Sequence, residues 1–261
     1  ARLIADCTKM AIPAEAANTP ALVMLYPEHV TNQKTCNFSG YAAAVKEMAE
    51  EVKVPIGLHA DHDYAYDSII NTISKGFRSV MMDGSMNDLN TNITITKKVV
   101  DKAHSLGAVV EGEIGHVGIA AKSDNHNEDL YTKADAAEKF CREAEVDSLA
   151  VSIGNAHGEY KDTPHLDIKR LEEIHAAVSV PLVLHGGSGI PDDQLLDAFS
   201  KGIRKFNLGT EFLGKYYDAA AEFVKENESN ADPVKIINMS EYVRGRLVPY
   251  LENRMKTLCR F

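Results

Sequence analysis

Residues 54–62 read VPIGLHADH and residues 181–189 read PLVLHGGSG. Each is a short apolar run without helical period that stops abruptly at a histidine. A strand covered on both faces in a parallel sheet reads as such a near-continuous apolar run. Five more runs share the form, Ala21 to Tyr26, Ser79 to Gly84, Val109 to Gly115, Ser148 to Gly154 and Ile203 to Gly209. With Val54 to Asp61 and Pro181 to Gly186 they make seven. Segments of helical spacing separate them, Tyr41 to Glu51, Ala65 to Lys75, Asn90 to Ser105, Lys133 to Glu145, Asp167 to Val178, Pro191 to Ser200 and Glu211 to Lys225. Strand and helix in alternation build parallel βα units. Several helices stop at a glycine that leads into the next strand, as in Ser105-Leu106-Gly107.

Seven strands are one fewer than the eight that close a (β/α)₈ barrel. The chain opens with Ala1 in a helical segment, Ala1 to Ala17, that should follow a strand, so the first strand is expected to be absent from this sequence. A doubly wound open sheet also alternates strand and helix, and periodicity alone does not separate the two. The polar residues favour the barrel, because they fall at the C-terminal ends of strands, where barrel loops converge on one rim. No linker interrupts the series, so residues 1–261 read as a single α/β barrel domain with a helical tail from about 234 to 261.

Composition narrows the function. The 261 residues carry a formal net charge of −10, which argues against a phosphate-backbone partner such as nucleic acid. No run of eighteen apolar residues and no basic-then-apolar leader occurs, so the reading is of a soluble, cytoplasmic protein without a membrane partner. Cys7, Cys36, Cys141 and Cys259 lie far apart and suit buried thiols of a reducing compartment.

The rim holds the chemistry. His62 follows VPIGLHAD, His157 follows VSIGNA and His185 ends PLVLH, so imidazoles from three strands can point at one spot. Three neutral nitrogen donors with an open fourth position describe a catalytic zinc site. Asp61 precedes one of these donors and reads as the acid/base, with satisfied ion pairing as the structural alternative. His59, two residues earlier, shares its strand face with Asp61 and supports the site from behind. Asp83 and Glu113 end other strands and read as carboxylates behind the ligands or at an alternate metal position, while Glu111 is a further strand-end acid. The turns His185-Gly186-Gly187-Ser188-Gly189 and Asn207-Leu208-Gly209-Thr210 place backbone N–H groups at helix N-termini, a cradle for phosphate. Lys205 lies inside its run, upstream of the rim, so a lysine Schiff base has no seat.

Together, LHADH at 58–62, FRSVMMDGS at 77–85, VEGEIG at 110–115, LAVSIGNAHGEY at 149–160, LVLHGGSGIPDD at 182–193 and KFNLGTEF at 205–212 resemble the class II, metal-dependent fructose-bisphosphate and tagatose-bisphosphate aldolase family. The resemblance implies a barrel that reversibly cleaves a ketose phosphate or bisphosphate into dihydroxyacetone phosphate and an aldehyde. It implies Zn²⁺ on His62, His157 and His185, stabilising the enediolate as a Lewis acid, Asp61 as acid/base, and room for a monovalent cation. Gly158, Gly186, Ser188, Asn207, Gly209 and Thr210 would hold the dihydroxyacetone phosphate moiety, and a homodimer or homotetramer would be the assembly. The chain departs from the pattern at His116-Val117-Gly118-Ile119-Ala120-Ala121-Lys122, where the family carries a loop glutamate. Asp124, Glu128 or Asp129 is then the substitute, or the substrate differs. Tyr26 stands where a serine commonly follows the second strand. A catalytically impaired sugar-phosphate binder and a zinc hydrolase are the competing readings.

Overall fold

The computed structural model describes residues 11–28, 37–115, 117–119, 130–228 and 236–258. The elements are α1 (Ala11–Ala16), β1 (Ala21–Leu25), α2 (Phe38–Glu50), β2 (Ile56–Asp63), α3 (Tyr66–Ser74), β3 (Ser79–Met82), α4 (Leu89–Ser105), β4 (Val109–Ile114) and β5 (Gly118–Ile119). They continue as α5 (Ala134–Ala144), β6 (Ser148–Val151), β7 (Ala156–His157), α6 (Ile168–Ala177), β8 (Leu182–Leu184), α7 (Asp192–Ser200), β9 (Ile203–Phe206), α8 (Thr210–Glu226) and α9 (Ile236–Leu258). All seven expected strands form one sheet in the order β1-β2-β3-β4-β6-β8-β9. Its pairs are parallel. The fold is that of an incompletely closed barrel, with no eighth strand in the sheet among the described residues. The sequence pattern did not signal β5 and β7, two-residue strands that pair with each other at Gly118↔Ala156 and Ile119↔His157.

Contacts divide the chain into two compact units. The larger, 24–33 and 58–208, holds most of the sheet and the rim residues up to Asn207. Its strands bury Val80, Met81, Val110, Leu149, Ala150, Leu182 and Val183, while α4, α5, α6 and α7 contribute Val99, Phe140, Leu171 and Leu195. Each of these side chains other than Ala150 is worth about 1.5–3 kcal/mol of burial. Capping marks the starts: Asp88 accepts from the Asn90 and Thr91 amides ahead of α4, and Asp167 from Arg170 ahead of α6. The expected glycine stop before β9 is required, since Gly202 holds φ +130° and a Cβ there would lie 2.6 Å from the His175 ring.

The smaller unit, 1–23, 34–57 and 209–261, holds α1, α2, α8 and α9. The expected tail helix exists as α9, and Val243 and Leu247 on its apolar face bury against Ala219 of α8, flanked by Phe212 and Tyr216. Gly209 caps α8, and Thr210 is its first residue. No helix among the described residues is long and apolar enough to cross a membrane.

Candidate active site

Strand β2 delivers two residues to the rim by breaking its own alternation. Strict alternation would send Asp61 and His62 to opposite faces. Instead the register with β3 shifts between Ala60↔Val80 and Asp63↔Met82, so three steps on β2 match two on β3. Such a bulge re-aims a side chain. His62 takes φ +42°, a left-handed conformation costing a non-glycine residue about 1–3 kcal/mol. Asp61 and His62 therefore both reach the rim.

His185 arrives differently, directly after β8, where Gly186 turns the chain with φ +62° and a Cβ would sit 2.1 Å from the Ala156 carbonyl oxygen. His157 ends β7. The ring centroids of His62, His157 and His185 are 4.9, 4.6 and 5.9 Å apart. His185 Nδ1 lies 2.9 Å from His62 Nε2, and each of the three residues offers a nitrogen within 4.8 Å of the other two.

Two of the three rings are held from behind. His62 Nδ1 is 3.0 Å from Asp83 Oδ2, and the other oxygen of Asp83 accepts from the amide and hydroxyl of Ser85. His185 Nε2 is 2.8 Å from Glu111 Oε1, and Lys205 Nζ contacts both oxygens of Glu111 at 3.1 and 2.9 Å. Imidazole ligands of metals are characteristically oriented by a carboxylate in this way. Asp61 Oδ1 accepts from Asn207 Nδ2 at 3.0 Å and lies 3.8 Å from His59 Nε2; His59 Nδ1 is engaged by Ser79 Oγ at 2.7 Å.

Charge follows this geometry. Burial works against ionisation of Asp61, yet facing His185, His62 and Lys205 hold its carboxyl below the ordinary range. Burial opposes protonation of His62, but the Asp83 hydrogen bond and the charges of Asp61 and Glu113 push it up to about 9. His157, buried beside His62 and His185, falls to about 4. Two glutamates of one strand diverge: Glu111 is held well below the usual value, burial being overcome by Lys205 and His185, while burial and neighbouring Asp83 drive Glu113 well above it.

Four buried atoms of this site lack a hydrogen-bond partner, His59 Nε2, His157 Nε2, Glu113 Oε2 and Asn207 Oδ1. Buried polar groups are otherwise satisfied almost without exception. A divalent cation among the imidazoles would satisfy the His157 nitrogen, and three nitrogen donors suit zinc. Glu113 Oε2 stands 3.8 Å from His185 Nδ1 and groups with His62 and Asp83 in a second possible ligand set.

Of the residues expected to hold phosphate, Gly158 has φ +95° with open space where a Cβ would stand, Ser188 is buried, and Asn207 turns its amide to Asp61. Gly209 and Thr210 belong to the smaller unit, at the start of α8. Asp124, Glu128 and Asp129 lie outside the described residues. Glu111, expected among the strand-end acids, lies inside β4 on the same face as Glu113, and sequence reasoning foresaw no partner for it and no role for Lys205. It also passed over Tyr160, whose hydroxyl accepts from the Ala156 amide at 2.6 Å and donates to the Gly186 carbonyl at 2.9 Å. Asn155 was missed too; its side-chain amide donates to the His185 carbonyl at 3.0 Å.

A parallel barrel sheet whose rim gathers imidazoles beside an ionised carboxylate defines a metal-dependent enzyme of the α/β-barrel class. The chain matches the model of class II fructose-bisphosphate aldolase over residues 6–259, and it belongs to that family. It is 39% identical over 219 residues to the protein YdjI of Escherichia coli K12, covering 82% of this chain and 75% of that one. It is 40% identical over 198 residues to the 6-phospho-5-dehydro-2-deoxy-D-gluconate aldolase of Shouchella clausii KSM-K16, covering 75% and 67%. The crystal structure of the YdjI aldolase superposes with a TM-score of 0.81 at 32% identity, over 99% of this chain and 88% of that one. The fructose-bisphosphate aldolase of Campylobacter jejuni shares the fold, with a TM-score of 0.82 at 21% identity over 99% and 87%. The protein is thus a lyase of the aldolase type, and the histidine cluster at its rim is one that could hold a metal ion, consistent with the Zn²⁺ of its family.

Proposed function

We propose that the chain reversibly cleaves a ketose phosphate into dihydroxyacetone phosphate and an aldehyde, with Zn²⁺ held by His62, His157 and His185. The observation that carries this reading is the convergence of the three rings, with His157 Nε2 buried and unpartnered beside two imidazoles already anchored by carboxylates. When bound, the ion supplies Lewis-acid stabilisation of the negative charge that carbon–carbon cleavage leaves on the three-carbon fragment. Asp61, kept ionised at neutral pH, takes the proton of the C4 hydroxyl as the bond breaks, the three-carbon fragment gains one proton on carbon to leave as dihydroxyacetone phosphate, and condensation reverses both transfers. Asn207 holds one oxygen of Asp61, which leaves the other for substrate. The turns at Gly158, Gly186 and Ser188 supply backbone N–H groups for the phosphate, and Tyr160 bolts the Gly186 turn to the start of β7.

The substrate is a sugar phosphate, and the relative named for 6-phospho-5-dehydro-2-deoxy-D-gluconate supports including phosphorylated sugar acids beside ketose mono- and bisphosphates in the test. Protein stripped with chelator and reloaded with Zn²⁺ is assayed for dihydroxyacetone phosphate release across that panel. The reading expects release that disappears on chelation and returns with zinc. Release indifferent to chelator would overturn the metal role, and tight binding without release would turn the assignment to a sugar-phosphate binder.

A further inference from the structure

Lys205 is the part of the site with no expected task. It sits on β9 and reaches Glu111 on β4, although β6 and β8 lie between these strands in the sheet. The contact therefore reaches across two intervening strands of the sheet. Glu111 is 2% exposed and Lys205 14%. The ammonium spans both carboxylate oxygens; Oε1 also meets His185 Nε2, and Ser148 Oγ donates to Oε2 at 3.3 Å. A buried ion pair is by itself weak evidence for stability, because desolvation of both charges offsets their attraction. Its placement points elsewhere. With Glu111 accepting from Nε2–H, His185 is left in the tautomer whose bare Nδ1 faces His62 Nε2 and the cluster.

The two clamped histidines differ in how their carboxylates are steadied. Asp83, behind His62, is fixed locally by Ser85, two residues away. Glu111, behind fully buried His185, is fixed by a side chain 94 residues along the chain. We infer that Lys205 is a positioning residue: through Glu111 it sets the ring orientation and tautomer of His185, and so the metal-binding geometry, without touching substrate. The inference rests on the zinc reading above.

The test is zinc affinity, read by competition with a chromophoric chelator, together with the visible spectrum of the cobalt(II)-loaded protein and the Tm of the zinc-free protein. Lys205→Met should weaken zinc binding about 10–100-fold, the usual cost of losing a partner behind a ligand, and shift the cobalt bands. Adding Glu111→Gln to Lys205→Met keeps an acceptor for Nε2–H without a buried carboxylate that lacks its cation. That double variant should return to within about fivefold of the parent, so the two substitutions are coupled. If Lys205→Met only lowers Tm while zinc affinity and cobalt spectrum match the parent, the ion pair is structural and the inference falls. If Lys205→Met does not fold, the double variant decides, and zinc binding tenfold or more below the parent overturns the inference. A parent protein that binds no zinc would sink the metal reading itself, an outcome distinct from a parent that binds and a variant that binds alike.

Discussion

Two histidine–aspartate pairs stand at opposite ends of the sheet, one before its strands begin and one where they stop. At the N-terminal side His104 Nε2 meets Asp147 Oδ2 at 2.9 Å, and the same oxygen accepts from the Val110 amide. At the C-terminal side His62 Nδ1 meets Asp83 Oδ2 at 3.0 Å. Residue types and distances are nearly equal. Burial is not: the side chains of the first pair are 42% and 34% exposed, those of the second 14% and 8%. Water screens the first pair, which ties the end of α4 to the start of β6. The second sits among Asp61, Glu113 and two more imidazoles, where a proton on His62 is retained up to about pH 9 and its Nε2 meets His185 Nδ1 at 2.9 Å. What turns a common ion pair into part of a functional site is thus the desolvated company it keeps.

The contrast can be broken at its strongest point first. Asp61→Asn keeps the Asn207 contact and all three imidazoles but cannot take a proton, so kcat should fall about 10²–10⁴-fold with zinc content intact. Steady-state assays beside metal analysis check this, and a rate near that of the parent would place the acid/base elsewhere. Next comes the clamp itself: Asp83→Asn should weaken zinc binding about 10–100-fold in a chelator competition, because His62 loses its charged anchor. Unchanged affinity would mean that the pair behaves like its solvent-side counterpart.

The pH dependence has a defined sign. His62, raised to about 9, carries a proton at neutral pH that an incoming ion must displace, whereas His157, lowered to about 4, carries none. Apparent zinc affinity should therefore rise with pH, roughly tenfold per unit, until about pH 9, with one proton released from His62. Calorimetry in two buffers of different ionisation enthalpy counts that proton, and an affinity flat between pH 6 and 8 would contradict it. The smallest effect belongs to the other end of the strands. His104→Ala should cost about 1 kcal/mol or less in chemical denaturation and leave turnover alone. A loss of activity there would erase the functional difference between the two ends.

Much of this site was legible before any coordinates. His62, His157 and His185 follow apolar runs, and a parallel strand that must bury both faces has room for such residues only at its end. Asp61 was found by adjacency. Glu111 was seen as a strand-end acid, but its partner was not: Lys205 is 94 residues away, and no periodicity links them. The bulge in β2 was equally silent, since VPIGLHADH read with strict alternation sends Asp61 and His62 apart. Tyr160 carries no signal in the sequence, because its hydroxyl bridges two backbone groups that only the fold brings together.

By itself, then, the order of residues determined the alternation of strands and helices, their parallel pairing in chain sequence, and the rim on which the chemistry lies. Those follow from local rules, the burial of apolar runs and the stopping of helices, that act within a dozen residues. Tertiary structure alone decided that Asp61 and His62 share a face, which glutamate is held ionised and which is not, and what steadies His185. Each of these depends on charges and backbone groups from remote segments meeting in a space without water, where a neighbour a few ångströms away outweighs anything encoded beside it.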